Sequence, residues 1–225
     1  MDNIVIIGAS GHAKVVIDII EQQKKYRIVG LIDSFKDKDT TLYEYAVLGT
    51  EHDIPTLQKE YKISGGIIAI GDNCTRLKMQ SKITAIAPTF NFYSAIHPNA
   101  VIGKNVTINN GTVVMAGVII NSDAFIGSHC IINTKSSVGH DVIVNDFSSI
   151  APGVSIGGET IIGTCTAISI GCSILERITI GDNCVIGAGS VVNKNIDNNI
   201  LAFGIPARKI KSRDHKEKYL KGSNN

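Results

Sequence analysis

A repeat of six residues dominates the hydrophobic pattern of the chain between residues 95 and 196. This segment divides into seventeen consecutive hexads, from AIHPNA to VVNKNI, and the second residue of every hexad is Ile or Val. Neither the helical period of 3.6 residues nor the strand period of 2 produces such a spacing. The repeated aliphatic positions are Ile96, Ile102, Ile108, Val114, Ile120, Ile126, Ile132, Val138, Val144, Ile150, Ile156, Ile162, Ile168, Ile174, Ile180, Ile186 and Val192.

A bend in every hexad converts this period into a fold. The third position is most often Gly or Asn, which adopt the left-handed backbone conformation at the lowest cost, and we expect the bends there. Three short strands and three bends close a triangle, so each residue i lies against residue i+18 of the next coil. Because β-branched side chains suit a buried pleated surface, the Ile and Val residues should fill the prism. The pattern predicts a parallel β-helix of hexapeptide repeats.

The residues before the hexads alternate between strand and helix patterns. Apolar runs at 3–8, 27–33 and 65–73 alternate with helical patterns at 13–25, 52–61 and 75–85. This order predicts a small Rossmann-like parallel sheet with helices. We therefore expect an α/β domain over residues 1–90 and a β-helix domain with a basic C-terminal tail over residues 91–225.

The first strand runs into GASGH, residues 8–12, and then into a helix. Small residues at such a turn expose backbone N–H groups beside the positive end of the helix dipole, where phosphates bind. The motif lacks the complete G-x-G-x-x-G spacing, so a tight turn without a ligand is the alternative. Asp33 and Gly71 end the next two strands at the same edge of the sheet. Asp33 suits a ribose or base as an acceptor, and it suits a turn equally well.

Composition and charge narrow the class of protein. A net charge of +2 is too small for a nucleic-acid surface. The chain starts without a basic and apolar signal segment, and no apolar run approaches the length of a membrane span. Five cysteines without a C-x-x-C motif fit a reducing compartment, and three of them occupy the small last position of a hexad. We expect a cytoplasmic protein without membrane insertion.

His140 stands out among the polar residues of the hexads because it follows Gly139 at a bend and precedes Asp141. An imidazole accepts the proton of an attacking amine or hydroxyl, and a carboxylate holds the required tautomer. A solvent-exposed corner histidine is the alternative. A zinc site needs three imidazoles, and His129 lies eleven residues from His140, which does not stack the two rings. We expect no metal.

The whole arrangement resembles one family. An α/β domain with GASGH, hexapeptide coils with an adjacent His–Asp pair, and then GIPAR at residues 204–208 resemble the bacterial sugar O- and N-acetyltransferases of left-handed β-helix type. These enzymes acetylate nucleotide-linked amino sugars or sialic acid for surface polysaccharides and glycans. The resemblance implies left-handed winding, a homotrimer, and acetyl-CoA bound in the groove between neighbouring prisms.

The resemblance also implies roles for residues in the coils. The stretch NTKSSVGHD matches the family's N-T-x-S-x-x-x-H, with His140 as general base, Asp141 as its acidic follower and Asn133 near the sugar. Gly158, one coil beyond His140, would offer its N–H to the thioester carbonyl. Many relatives carry a second histidine where this chain has Ser149, so the chain departs from the family there.

The remaining implied residues belong to the two ligand sites. The residues implied to line a nucleotide-sugar pocket are Gly8, Ser10, Gly11, His12, Asp33, Gly71 and Arg76. Those implied to meet coenzyme A after the last coil are Gly204, Pro206, Arg208 and Lys209, followed by Lys211 and Arg213. A solvated basic tail is the alternative for this last group.

The expected function follows from these assignments. The chain should be an acetyl-CoA-dependent N-acetyltransferase acting on the amino group of a nucleotide-linked 4-amino-4,6-dideoxy sugar, with UDP as the expected nucleotide. An O-acetyltransferase acting on a sialic acid-type sugar is an alternative. A non-catalytic scaffold that binds a nucleotide sugar is the alternative from another class.

Overall fold

The structure is a computed structural model that describes residues 1–214 and 217–220, so His215 lies outside the described residues. A six-stranded sheet opens the chain, with strands β1 Asp2–Ile7, β2 Tyr26–Ile32, β3 Thr41–Leu42, β4 Tyr45–Gly49, β5 Ile63–Ile68 and β6 Asn91–Phe92. Their order in the sheet is β3-β4-β2-β1-β5-β6. Its helices are α1 Gly11–Gln23, α2 Ile54–Glu60 and α3 Asn73–Ile86, with a 3-10 turn at Glu51–Asp53 before α2.

The alternation of side chains along β1 explains why helices cover both faces of this sheet. Ile4 and Ile6 pack with α1, whereas Val5 and Ile7 pack with α2 and α3. Such a central parallel strand is buried on both faces and therefore has a continuous apolar sequence. Two features differ from the expectation. The β3–β4 hairpin was not predicted, and the sheet includes residues 91 and 92, which lie beyond the expected domain boundary.

The hexads form a prism of two-residue strands, each made of the first and second residues of a hexad. The strands are β7 Ala95–Ile96, β8 Val101–Ile102, β9 Thr107–Ile108, β10 Val113–Val114, β11 Ile119–Ile120, β12 Phe125–Ile126, β13 Ile131–Ile132, β14 Ser137–Val138, β15 Ile143–Val144, β16 Ser149–Ile150, β17 Ser155–Ile156, β18 Ile161–Ile162, β19 Ala167–Ile168, β20 Ser173–Ile174, β21 Thr179–Ile180, β22 Val185–Ile186 and β23 Val191–Val192. Face 1 contains β7, β10, β13, β16, β19 and β22, face 2 contains β8, β11, β14, β17, β20 and β23, and face 3 contains β9, β12, β15, β18 and β21.

The register confirms the predicted parallel β-helix with coils of eighteen residues. Val113 pairs with Ile131 on face 1 and Ile143 pairs with Ile161 on face 3, both in parallel and eighteen residues apart. The second-position side chains from Val114 to Val192 are buried, as are the last-position cysteines. Those of the first coil are only partly covered, because no earlier coil lies beneath them.

The bends differ from the expectation in a way that matters for the site. The positive φ values recur at the fifth position of the hexads, as at Asp123 (61°) and Asp141 (56°), and not at the third position. The third-position glycines are needed instead because the coils approach closely there. A Cβ on Gly139 would lie 2.6 Å from the backbone N of Gly158 on the next coil. The glycines at third positions are therefore explained by the lack of space there, and the fifth position adopts the left-handed conformation.

The α/β unit packs on face 1 of the prism. Ala13, Val16 and Ile20 of α1 share a buried cluster with Val113 and Ile131, which point outward from face 1. After the last coil, β24 Ile200–Gly204 and β25 Ala207–Ser212 form a hairpin that extends face 1 beyond β22. No helix in the described residues is long and apolar enough to cross a membrane.

Candidate active site

A cleft of about 700 Å³ lies at the carboxyl edge of the N-terminal sheet. Gly8, Ser10, Asp33 and Gly71 all line it, so the structure brings together residues from the ends of three strands. Parallel strands place their carboxyl ends at one edge, which is where open α/β sheets bind ligands.

The GASGH turn provides the polar end of this cleft. Gly8 has a φ of 109°, a conformation that favours glycine, and Ser10 is the N-cap of α1 without a side-chain cap hydrogen bond. A Cβ on Gly11 would meet no atom within 4 Å, so the first turn of the helix faces open space. The exposed N–H groups and the helix dipole make this a favourable place for an anion.

Asp33 organises the cleft through its own hydrogen bonds. Its Oδ2 accepts from the N–H of Ala9 at 2.8 Å, and its Oδ1 accepts from Phe35 at 2.9 Å and Lys36 at 3.1 Å. These hydrogen bonds to Asp33 fix the position of the GASGH turn relative to the loop after β2. Asp33 thus stabilises a turn, one of the two roles considered from the sequence, and it also lines the cleft.

A second pocket, of about 410 Å³, lies between the α/β unit and face 1. His12, Gly71 and Asn133 line it, together with Tyr219 from the end of the described chain. Gly71 lines both pockets, so the cleft and this second pocket meet at the end of β5. No motif in the sequence pointed to Tyr219, whose hydroxyl donates to the Gly71 carbonyl at 3.0 Å.

His12 is uncharged in this second pocket. Burial, with a smaller contribution from the positive charge of Arg76, lowers the pKa of His12 to about 4. Its Nε2 is buried without a hydrogen-bond partner among the described residues. An unpaired buried ring nitrogen is costly, so His12 is suited to bind a polar group of a ligand.

Arg76 does not line either pocket, which corrects the expectation from the sequence. It is 1% exposed, and its guanidinium joins α3 to the corner of the prism between faces 3 and 1. Five hydrogen-bond donors in a fixed fork allow it to hold several carbonyls at once. Its acceptors are the carbonyls of Ile70, Gly71, His129 and Phe147 at 2.8, 2.9, 2.8 and 3.0 Å, Asn73 Oδ1 at 2.7 Å and Ser149 Oγ at 3.3 Å.

His129 belongs to the same buried contact rather than to the surface of a corner. Its ring stacks on Phe147 at 4.9 Å and meets the edge of Phe92 at 4.9 Å. Ser149, at the position of the second family histidine, donates to Asn73 Oδ1 at 2.6 Å. This hydroxyl therefore forms part of the contact between the two units.

His140 lies at the corner between faces 2 and 3, and Asp141 bonds to it directly. His140 Nδ1 and Asp141 Oδ2 are 2.7 Å apart, although adjacent side chains on a strand would diverge. The left-handed conformation of Asp141 turns its carboxylate back toward the ring. A carboxylate at this position favours the tautomer in which Nδ1 donates to it, and in that tautomer Nε2 has a lone pair that can accept a proton. Both side chains are largely exposed.

Gly158 lies beside this imidazole on the next coil. A Cβ at Gly158 would be 2.6 Å from His140 Nε2, so the ring occupies this position only because residue 158 is glycine, and a larger residue would displace it. The N–H of Gly158 has no backbone acceptor among the described residues. The corner thus combines a free ring nitrogen with a free backbone donor.

The expected sites do not all meet within one chain. The α/β unit packs on face 1 and forms the cleft and one side of the second pocket, whereas His140 and Gly158 lie at the one corner that face 1 does not touch. Gly204 and Pro206 form the turn of the β24–β25 hairpin on face 1, and Arg208 and Lys209 are exposed on β25.

Two cations of the C-terminal segment already have partners. Lys211 pairs with Glu217 at 2.7 Å, and buried Arg213 donates to the Asn183 carbonyl at 2.9 Å. Arg213 is therefore structural, which corrects the expectation that it meets coenzyme A. Over residues 1–214 and 217–220, no group of three or more His, Cys, Asp or Glu side chains is arranged to hold a metal ion.

Comparisons with known proteins agree with this two-part architecture. The PglD N-terminal domain family model matches residues 3–83, and the bacterial transferase hexapeptide (six repeats) model matches residues 99–134 and 159–194. A solved structure of perosamine N-acetyltransferase from Caulobacter crescentus, a histidine variant in complex with CoA and GDP-perosamine, has a TM-score of 0.88 and 32% identity, covering 94% of this chain and 98% of that one. The chain belongs to the left-handed β-helix sugar acetyltransferases. The expected enzyme class and co-substrate, acetyl-CoA, are confirmed by this membership.

Other members of this acetyltransferase family show the same likeness. The acetyltransferase domain of PglB from Neisseria gonorrhoeae, in complex with acetyl coenzyme A, has a TM-score of 0.85 and 28% identity over 92% of this chain and 98% of that chain. UDP-N-acetylbacillosamine N-acetyltransferase from Bacillus subtilis is 32% identical over 52% of this chain and 52% of its own length. The chain thus spans about half the length of this curated relative.

Proposed function

We propose that this acetyltransferase transfers the acetyl group of acetyl-CoA to the amino group of a nucleoside diphosphate-linked 4-amino-4,6-dideoxy sugar. The observation that carries the proposal is the corner where Asp141 orients His140 beside the N–H of Gly158. Relatives named as N-acetyltransferases of perosamine and of UDP-N-acetylbacillosamine support the amino group as the acceptor. The nucleotides in these names differ, so they support a nucleoside diphosphate without selecting the base.

The proposed reaction is a direct transfer. The sugar amine attacks the thioester carbonyl while His140 Nε2 takes a proton from the nitrogen. The N–H of Gly158 stabilises the negative charge that develops on the carbonyl oxygen. The C–S bond then breaks, and the protonated His140 returns the proton to the departing CoA sulfur. Asp141 keeps the ring in the tautomer with Nε2 free and stabilises the imidazolium.

The nucleotide sugar is proposed to bind at the edge of the N-terminal sheet. Its diphosphate would lie at Ser10 and the N-terminus of α1, with the nucleoside in the 700 Å³ cleft. The sugar would extend past Gly71 toward His12 and Asn133 in the second pocket. Arg208 and Lys209, exposed on β25, are proposed to bind the phosphates of coenzyme A.

A homotrimer completes the proposed site. Because His140 lies at the corner away from face 1, the base that meets a sugar on one α/β unit would come from a neighbouring prism. An exposed apolar stripe of Phe125, Ile143 and Ile161 runs along face 3 directly after this corner. Exposed apolar patches of this kind mark interfaces. Packing on the stripe would bring a second chain next to His140.

The function is tested by measuring release of the CoA thiol with two matched acceptors. A 4-amino nucleotide sugar should release the thiol at one equivalent per acetylated product, and its 4-hydroxyl counterpart should be poor. A faster reaction with the hydroxyl sugar would support the O-acetyltransferase instead. Absence of thiol release with either acceptor would support the non-catalytic scaffold.

A further inference from the structure

A second carboxylate, in addition to that of Asp33, lines the cleft at the carboxyl edge of the N-terminal sheet, and it is buried. Glu51 begins the 3-10 turn after β4 and is 4% exposed, and it lines the same cleft as Ser10 and Gly71. The proposed mechanism does not use it. A carboxylate is rarely this buried without partners or a ligand.

Two hydrogen bonds hold Glu51 in its ionised form. Its Oε2 accepts from Ser34 Oγ at 2.7 Å, and its Oε1 pairs with the ammonium of Lys82 on α3. Burial alone raises the pKa of Glu51, but the hydrogen bonds from Lys82 and Ser34 outweigh burial and leave its pKa below the usual value. A carboxylate offers about four lone-pair directions, so two bonds leave acceptor capacity for a ligand.

The polar edges of the nucleobases differ in how they meet a fixed carboxylate. Guanine presents two adjacent donors, N1–H and the N2 amino group, which match the two oxygens of a carboxylate. Uracil and thymine present one N–H between two carbonyl oxygens, and these oxygens would face the negative charge. Adenine and cytosine each present a single amino donor beside a ring nitrogen acceptor. Only guanine supplies the complementary pair.

The remaining lining of the cleft suits the other features of a guanine ring. Phe35 is 97% exposed at the rim and offers a face for stacking. Lys36, also exposed and lining the cleft, offers an ammonium donor for the guanine O6. We propose that Glu51 selects guanine, which makes the sugar donor GDP-linked rather than UDP-linked as expected from the sequence. This inference rests on the proposed function, because it assigns the base of that same nucleotide sugar.

Titration calorimetry tests this inference by comparing the affinities of GDP, UDP and IDP for the full chain in the presence of CoA. IDP is GDP without the N2 amino group. Two hydrogen bonds to a charged acceptor should make GDP bind about tenfold or more tightly than UDP. IDP should bind about tenfold more weakly than GDP, because it keeps only the N1–H bond. This comparison needs no variant.

The Glu51→Gln variant separates base recognition from a structural role. The N–H groups of the glutamine amide would face the N–H groups of guanine. The affinity for GDP should therefore fall about tenfold or more, while the affinity for UDP should change by no more than about twofold. The control Glu44→Gln removes an exposed carboxylate outside the cleft and should change neither affinity. An equal loss for GDP and UDP would show that Glu51 only braces the turn against α3, and would overturn the inference.

The outcomes also separate this inference from the proposed function. UDP binding as tightly as GDP would overturn guanine selection and leave the acetyl transfer to a nucleotide sugar intact. Equal binding of IDP and GDP to the wild-type protein would exclude the contact to the amino group and likewise overturn it. Binding of none of the three nucleotides would overturn both.

Discussion

Gly158 and His140 occupy the same corner on successive coils, and a Cβ on Gly158 would lie 2.6 Å from His140 Nε2. The ring is exposed and can rotate away, whereas the coil cannot shift easily. The contact therefore constrains the position of the imidazole more than the stability of the fold. Glycine at this position is explained by the space that the ring needs.

Gly158→Ala should lower kcat by about tenfold to a hundredfold while leaving the melting temperature almost unchanged, because displacement of a base by 1 Å has effects of this size. The matched variant is Gly157→Ala, whose Cβ would lie 2.5 Å from the backbone N of Glu176. It should reduce stability instead. Thermal unfolding and steady-state kinetics of both variants check the contrast, and wild-type activity in a folded Gly158→Ala would contradict it.

His140→Ala should lower kcat by about a hundredfold to ten-thousandfold, the usual contribution of a general base. Both substrates should still bind, because the ring is exposed and no buried contact is lost. If His140→Ala keeps more than about a tenth of the wild-type kcat, with chemistry rate-limiting, then positioning alone drives the transfer.

Asp141→Asn tests the orienting role separately. It should slow the reaction by less than His140→Ala, because the carboxylate acts only through the ring. The control is Asp123→Asn, at the equivalent corner one coil earlier, where Asp123 accepts from Asn105 at 3.0 Å. Asp123 also has a positive φ, so the pair controls for the backbone conformation. A similar loss of activity in both variants would remove Asp141 from the mechanism.

The β-helix could be predicted from the sequence because every hexad repeats the same hydrophobic pattern. Each second-position Ile or Val has the same environment, so the period survives local variation, and the register of eighteen follows from geometry. The bends were assigned to the third position because Gly and Asn adopt positive φ most cheaply. Asp141 and Phe147 adopt it at the fifth position instead, since pairing on both sides compensates for the strain.

The candidate site was predicted in part, and the errors have a common cause. Residues with a local signature, such as the GASGH turn and His140, lie where their motifs place them on strands and bends. Arg76 was misassigned because its burial depends on carbonyls from residues such as His129 and Phe147, far along the chain. Glu51 was not predicted as a site residue because only the folded sheet brings it to the cleft. Such tertiary contacts leave no periodic or motif signal in the sequence.

Arg76→Met should destabilise the protein by about 3–5 kcal/mol, because it leaves buried carbonyls without donors. The contact joins α3 to the prism, so the loss should be seen as earlier unfolding of the N-terminal sheet. Urea unfolding followed by circular dichroism measures it. The control is Arg177→Met, which removes an exposed arginine paired with Glu159 and should leave the midpoint unchanged. Equal midpoints for both variants would show that Arg76 does not hold the units together.

Light scattering should give about three times the chain mass of 24.0 kDa for the wild-type protein. Ile143→Glu places a charge in the apolar stripe of face 3 and should shift the protein toward monomers, with loss of activity at low concentration. Ser155→Glu on face 2 is the control for added charge. A wild-type monomer that is fully active would contradict a site shared between chains.

Acidification should destabilise the protein through His129. Burial, with a smaller contribution from the charge of Arg76, lowers the pKa of His129 from 6.5 to about 4. The unfolded chain keeps the ordinary value, so between these pH values the unfolded state binds a proton that the folded state does not. The contribution of His129 to the free energy of unfolding is therefore fully present above about pH 6.5. It decreases by up to about 1.4 kcal/mol per pH unit as the pH falls, and it decreases no further below about pH 4.

His129→Asn removes the titrating ring with a residue that tolerates the φ of 55° at this corner. The variant should be less stable at pH 7, because it loses the stacking on Phe147, yet its stability should fall less steeply with acid. His12, whose pKa is also about 4, acts in the same direction and leaves the variant with part of the slope. Urea unfolding at pH 7, 6 and 5 measures the free energies. Parallel pH profiles for the two proteins would mean that His129 is not held neutral by its burial between the two units.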